Sequence, residues 1–426
     1  MTSPGPVTSQ HDERTALVGL VCSGMKRREV DEHLDELERL VDTAGGSVVE
    51  RLVQERTAPT PATMIGAGMV ERLAGRCAEA DIQSVVFDDE LTASQVRNLE
   101  AVLPPGVKVL DRAAVILDIF AQRARSAEAQ TQVELAQLSY LLPRLTRRWR
   151  HLSRQAGGIG TRGVGETQLE IDRRLIGRRI SHLKKKLEVI ERDRRVRRER
   201  RRGVPAIALV GYTNAGKSSL FRRLTDANVL VEDRLFATLD PRLRRVNLGD
   251  EVVAVLSDTV GFIRKLPHHL VAPFRSTLEE ATAADLVLHV VDASHPQWEE
   301  HLRIGDEVLS SLAVDRERVL LLLNKADLVP DRRFPPPDGR LGLWVSATTG
   351  DGLPELLTLL RRVLLSSPEV AILRVPLAET AVVEKLLRHP HLVARRFRDT
   401  VLDVAVRTDV RSLEGHGLDA YRVEGW

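Results

Sequence analysis

The stretch GVPAIALVGYTNAGKSSLFRRL, residues 203–224, decides the fold. An apolar run from Ala206 to Val210 breaks into a loop that fits glycine, four residues, glycine, lysine, serine at 211–218, and a segment with helical spacing follows at once. Strand, glycine loop and helix in that order are what a phosphate-binding loop requires. In such a loop backbone N–H groups surround the phosphates, so Gly211, Tyr212, Thr213, Asn214, Ala215 and Gly216 are the expected nucleotide-binding residues, and Lys217 neutralises the β and γ groups. Ser218 offers a hydroxyl to magnesium, with Ser219 beside it.

One such loop can arise by chance, so its companions matter. DTVG at 258–261 follows the apolar run VVAVLS; it sets Asp258 near magnesium, passes through Thr259 and Val260, and brings the Gly261 N–H to the γ-phosphate. NKAD at 324–327, with Asn324, Lys325 and Asp327, ends the run RVLLLL. A carboxylate at Asp327 accepts from both N1–H and the exocyclic amine of guanine, a donor pair adenine lacks. Ser346 and Ala347 end a further strand-like run and offer a backbone N–H to the guanine O6. Thr238, in RLFATLDP, is the expected threonine that reaches the γ-phosphate and magnesium from a loop. Lys217, Thr238 and Gly261 form the expected catalytic set; Ser218, Thr238 and Asp258 form the metal set, with Asp258 acting directly or through water. GTP or GDP with Mg2+ is the implied ligand. After DTVG stands Phe262, where many GTPases carry a glutamine that orients the attacking water. Phenylalanine has no polar atom for that task, so hydrolysis is expected to be slow and to depend on a partner or another group.

Outward from this core, EVVAVLSD, LVLHVVD, RVLLLLNK and LGLWVSA alternate with helical patterns, as a doubly wound sheet requires. The expected GTPase domain runs over 203–366, and a small C-terminal α/β domain over 367–426, from AILRVPL through VLDVAVRT to YRVEGW. Upstream, TALVGLVC, GSVVERLV, QSVVFD and VKVL are separated by amphipathic segments at 30–40, 70–79 and 93–102, which gives an N-terminal α/β domain at 15–125 behind a disordered stretch at 1–14. Leu135, Leu138, Leu142 and Leu145, ended by Pro143, and then Ile176, Ile180, Leu183, Leu187 and Ile190 recur at three and four residues. These two stripes predict a long antiparallel helical hairpin over 126–202 with the glycine-rich stretch GGIGTRGVGETQLE, 157–170, at its tip. The fold class is therefore α/β with a P-loop GTPase domain at its centre.

The chain has 426 residues, 43% hydrophobic and 29% charged, and a net charge of +3. That composition suits several globular domains, no apolar run is long enough to span a bilayer, and the first residues resemble neither a secretory signal nor a transit peptide. A cytoplasmic protein is expected. Cys22 and Cys77 have neither metal spacing nor a disulfide pattern and read as buried reduced thiols. Basic residues concentrate at 144–150 and 192–202, a surface suited to a phosphate backbone as well as to a solvated helix end. The histidines at 268, 269, 289, 295 and 301 have no metal-ligand spacing, and the acids Glu166, Glu170 and Asp172 read as partners of a helix start.

Together with GGIGTRGVGETQLEIDRR, the stretches FDDELTASQVRNLE at 87–100, LDRAAVILDIFAQRARSAEAQTQVELAQLSYLLPRL at 110–145, FATLDPRLRRV and DTVGFI resemble the HflX family of GTPases, of the translation-factor-related class. The resemblance covers roughly residues 15–365. It implies a GTPase that binds the large ribosomal subunit and its RNA and helps split stalled or idle ribosomes. No DNA partner is expected, and a monomer is expected when the protein is free. In MIGAGMVERL, Met69 stands where the family often has lysine, and a glycine turn opening a helix is the reading there. The glycine stretch follows a helix rather than a strand, so a second phosphate loop is not expected; Arg162, Gly163 and Gly165 are the expected RNA contacts, with an interdomain hinge as the alternative. The alternative function is a GTP-dependent RNA-binding factor in assembly or remodelling of the large subunit.

Overall fold

The computed structural model describes residues 13–145, 168–199 and 203–426, except 226–234, 237–238, 241, 266–278, 331–338, 368, 390, 409–417 and 424–425. The glycine tip with Arg162, Gly163 and Gly165, the loop residue Thr238, and 1–12 of the expected disordered stretch lie outside the described residues. Glu13 and Arg14, also expected in that stretch, instead open the first strand. The chain forms two compact units, Met1–Leu187 with Lys265–Pro273, and Glu188–Arg264 with Phe274–Trp426.

The first unit is built on a parallel sheet of β1 (Glu13–Val21), β2 (Gly46–Glu55), β3 (Ser84–Phe87) and β4 (Lys108–Asp111) in the order β2-β1-β3-β4. Strand β1 is buried from Thr15 to Val21, which is why it reads as a continuous apolar run rather than an alternating one. Helices α1 (Arg27–Ala44), α2 (Ala67–Glu79) and α3 (Ala93–Val102) connect the strands. In α1 the buried side chains Val30, Leu34, Leu37, Leu40 and Val41 follow helical spacing. Thr92 caps α3 and exchanges hydrogen bonds with Gln95 in a capping box. Asp111 ends β4 and caps α4 (Arg112–Arg123) through the Ala114 N–H; its carboxylate also accepts from the Leu91 N–H, the Tyr140 hydroxyl and Arg144.

The next residue, Arg112, is 2% exposed and donates to Asp88, to Glu36 at 2.5 Å and to the His33 carbonyl at 3.0 Å. Lys265 also pairs with Asp88, and with Asp89 at 2.6 Å. Burial alone would raise the Asp88 carboxyl, but the Arg112 charge, the His33 contact and Lys265 hold it well below the usual range.

Helix α5 (Ala127–Leu141) ends in a single 3-10 turn, Leu142–Arg144, that contains Pro143. Its partner α6 (Gln168–Glu199) runs antiparallel to it: Arg179 holds Glu134 in a two-pronged pair at 2.7 and 2.8 Å, and the earlier Arg173 reaches the later Leu145 carbonyl at 3.5 Å. Leu183 is buried, whereas Leu175, Val189 and Val196 stay exposed.

The second unit contains a six-stranded sheet of β5 (Ala206–Gly211), β6 (Arg242–Asn247), β7 (Val253–Asp258), β8 (Leu286–Asp292), β9 (Val319–Asn324) and β10 (Gly342–Trp344), ordered β10-β9-β8-β5-β7-β6. All neighbours are parallel except β6, which pairs antiparallel to β7 at the edge. Helices α7 (Lys217–Thr225), α8 (Trp298–Ser311) and α9 (Leu353–Leu365) belong to this unit. A four-stranded antiparallel sheet, β11 (Val370–Pro376), β12 (Leu392–Arg398), β13 (Val401–Arg407) and β14 (Arg422–Val423), in the order β12-β13-β11-β14, carries α10 (Thr380–Leu387). Val393, Ala394 and Ala405 from this sheet join Leu356, Leu360 and Leu364 of α9 in one core. Arg395 and Arg396 pair with Glu251 and Asp250 at the turn between β6 and β7. Cys22 and Cys77 are free thiols; Cys22 is half-buried and Cys77 buried.

Candidate nucleotide-binding site

The C-terminal ends of the parallel strands bring the separated motifs to one edge of the sheet. β5 lies between β8 and β7, and the chain passes to β7 on one side and β8 on the other, the switch point at which α/β sheets take ligands. The loop at 211–218 starts from Gly211, the last residue of β5, Asp258 ends β7, and Asn324 ends β9.

Lys217 is 7% exposed, and its ammonium donates to the carbonyls of Gly211 at 3.0 Å and Tyr212 at 2.8 Å. Those two bonds curl the side chain back over the loop it follows. Burial lowers the Lys217 ammonium to about 8, against the attraction of Asp258. The Ser218 hydroxyl donates to Asp258 Oδ2 at 2.8 Å, so the two described members of the expected metal set already touch. A hydroxyl beside a buried carboxylate is a hard-oxygen pair, the donor chemistry Mg2+ selects. Thr259 is fully buried and donates its hydroxyl to the Leu209 carbonyl, which gives it a structural bond beneath the loop. Val260 is buried, and Asn214 sits in the left-handed region at φ 61. Ser219 lies in the first turn of α7.

Asn324 joins the 211–218 loop to the segment at 346–347. Its Nδ2 donates to the Ala215 carbonyl at 2.8 Å and its Oδ1 accepts the Ala347 N–H at 3.2 Å. Gly216 makes this possible: it has φ 90, and a Cβ there would lie 2.2 Å from Asn324 Nδ2. Lys325 pairs with Asp292 at 2.7 Å, and Asp327 is exposed and accepts from the Ser346 hydroxyl at 2.5 Å. The Ser346 N–H is held by the Asp351 carbonyl at 3.0 Å, and the Ala347 N–H makes only the longer bond to Asn324.

The segment after Asp258 is stitched to the phosphate loop. The Thr213 N–H donates to the Phe262 carbonyl at 2.8 Å and the Phe262 N–H to the Gly211 carbonyl at 2.9 Å. The Phe262 ring is 3% exposed and meets the buried His289 ring edge-on, 6.5 Å between centroids. It is turned into the core. Arg264 donates its backbone N–H to the Tyr212 hydroxyl at 2.9 Å and its guanidinium to Gln297 and Glu300 at 2.6 and 2.8 Å. The Tyr212 ring stacks on His301 at 3.9 Å. None of these partners was legible from spacing: Gln297, Glu300 and His301 lie just before or within α8, and their sequence context is that of an ordinary amphipathic helix. Among the described residues, no group of three or more His, Cys, Asp or Glu is arranged to hold a metal.

This fold and this edge define a P-loop GTPase. Three family models match the chain: GTP-binding GTPase N-terminal over 31–121, GTP-binding GTPase Middle Region over 123–201, and 50S ribosome-binding GTPase over 206–325. A GTPase HflX of Magnetococcus marinus is 48% identical over 360 residues, covering 83% of each chain. The GTPase HflX of Escherichia coli is 46% identical over 333 residues, covering 76% of this chain and 77% of that one. The chain belongs to the HflX GTPase family, and it binds and hydrolyses GTP. A solved structure, the SsGBP and GDP complex, is 24% identical, covers 82% of this chain and 98% of that chain, and has a TM-score of 0.46.

Proposed function

We propose that residues 211–219 and 258–261 hold the phosphates of GTP, that Asn324, Lys325, Asp327, Ser346 and Ala347 hold the guanine, and that the protein uses the bound state to act on the large ribosomal subunit in the cytoplasm. The observation that carries the nucleotide assignment is Asn324, which bonds the phosphate loop at Ala215 and the guanine element at Ala347 at once. Ser218 and Asp258 would hold Mg2+, with Thr238 as the third residue. When bound, the ion neutralises charge on the β and γ phosphates. Lys217 and the Gly261 N–H stabilise charge on the transferred γ group.

The ribosomal reading is supported by the family to which the chain belongs and by the match of residues 206–325 to the 50S ribosome-binding GTPase family. It is also supported by the charge of α6, where Arg173, Arg174, Arg178, Lys184, Lys185 and Lys186 lie exposed. Such a helix neutralises RNA phosphates, and the tip with Arg162, Gly163 and Gly165 would enter an RNA-lined cleft. In this reading GTP promotes ribosome binding and splitting, and hydrolysis releases the protein.

GTP hydrolysis with and without purified large subunits, paired with sedimentation of intact ribosomes, tests it. Stimulated hydrolysis with GTP-dependent separation of subunits is expected. Binding to large subunits with intact ribosomes left whole would favour the assembly or remodelling factor instead.

A further inference from the structure

The HflX chain lacks the glutamine that orients water in many GTPases, and the ring that stands in its place is packed away. The phosphate loop nevertheless carries a polar side chain, Thr213, packed beside Gly261. Thr213 is 7% exposed, and its hydroxyl oxygen is buried with no hydrogen-bond partner among the described residues. A buried hydroxyl left unpaired is costly, and such groups persist where a ligand completes them.

Its location is fixed by three residues that converge on one point. A Cβ built on Gly261 would lie 2.8 Å from the Thr213 methyl, 2.9 Å from the Thr213 Cα and 3.0 Å from Lys217 Nζ. The Thr213 methyl therefore stands against Gly261 and the Lys217 ammonium, the two groups proposed above to act on the γ-phosphate. A rotation of about 120° about χ1 exchanges methyl and hydroxyl between staggered positions, so the same point is within reach of the oxygen. The backbone under it is held by the bond from the Thr213 N–H to the Phe262 carbonyl.

We propose that the Thr213 hydroxyl orients the attacking water in GTP hydrolysis, the task Phe262 cannot perform. The water oxygen bonds to the γ-phosphorus as the bond from that phosphorus to the bridging oxygen breaks. The electron pair of the broken bond leaves on GDP, and the water proton ends on the released phosphate. Thr213 accepts a hydrogen bond from the water or donates one to the γ-phosphate; it neither gains nor loses a proton overall. This inference rests on the assignment of 211–218 as the phosphate loop.

The test is single-turnover GTP hydrolysis by the full-length Thr213→Val and Thr213→Ser variants, with GDP affinity and affinity for GDP with aluminium fluoride measured on each. Valine keeps the shape and the methyl and removes the hydroxyl; serine keeps the hydroxyl. For T213V the expected result is a hydrolysis rate lowered on the order of 10- to 100-fold, GDP affinity within about twofold of the parent, and weakened fluoride-complex binding. T213S should retain most of the rate. A T213V protein that hydrolyses GTP at the parent rate overturns the proposal. So does an equal loss of GDP affinity and rate in both variants, which would make Thr213 a builder of the loop. Lys217→Ala separates the two levels: if that variant still binds and turns over GTP, the phosphate-loop assignment itself fails.

Discussion

The Tyr212 hydroxyl accepts the backbone N–H of Arg264 at 2.9 Å, across 52 residues of sequence, and so ties the second residue of the phosphate loop to the segment that follows Asp258. Tyr212 is itself fixed by its stack on His301, and Arg264 by Gln297 and Glu300. Any movement of Gly261 and Phe262 on nucleotide exchange has to work against this bond.

Tyr212→Phe should therefore loosen the segment without emptying the site. The buried Arg264 N–H would lose its acceptor, a cost of about 1–2 kcal/mol borne locally. Faster amide hydrogen exchange over 259–265 with GDP affinity nearly unchanged is the expected outcome. Equal protection in variant and parent would show that the bond does not restrain the segment.

Asp327→Asn should change which base is held. A carboxylate accepts from two donors, whereas an amide offers one acceptor and one donor, so guanine loses about 3 kcal/mol and xanthine, with a carbonyl in place of the amine, gains. Displacement of bound fluorescent GDP by GTP and by xanthosine triphosphate measures the preference. A variant that still prefers GTP by the parent ratio would remove Asp327 from the base site.

In the first unit, Asp88→Asn should destabilise by about 3 kcal/mol, because it weakens the pairing of a fully buried guanidinium. Glu36 remains to share the Arg112 charge, which keeps the loss below that of an isolated buried ion. Urea unfolding followed by exchange at the amides of α4 would report it. Unchanged midpoints would mean that Glu36 and the His33 carbonyl suffice.

Asp306 gives a pH dependence of known sign. Burial raises its carboxyl, but the contact with His289 at 3.4 Å and the hydrogen bonds from Arg340 outweigh that and bring it from 3.8 down to about 2. A lowered folded value favours the charged form, so its stabilisation is present above the unfolded value and lost as pH falls through about 2. The stability difference between parent and Asp306→Asn should stay level above pH of about 4 and shrink below it. A difference independent of pH down to about 2 would assign the effect to packing.

The sequence by itself determined the GTPase class, because the chemistry that holds a nucleotide is written in short local motifs. The loop at 211–218, DTVG, NKAD and Ser346–Ala347 each require particular atoms at a strand end, and the apolar runs before them mark those ends. The parallel sheet of the first unit was equally legible, since β1, β3 and their helices follow plain hydrophobic patterns. Strands β6 and β12 were not: RLRRVN and LVARRFR are arginine-rich edge strands whose pairing comes from a neighbour rather than from their own apolar character. Tertiary structure alone decided which way Phe262 turns, that Arg112 is buried among acids, that Arg264 meets Tyr212, and that the Thr213 side chain packs against Gly261 with its hydroxyl buried. Those are contacts between residues tens of positions apart. Their energy depends on a desolvated partner that no local pattern specifies.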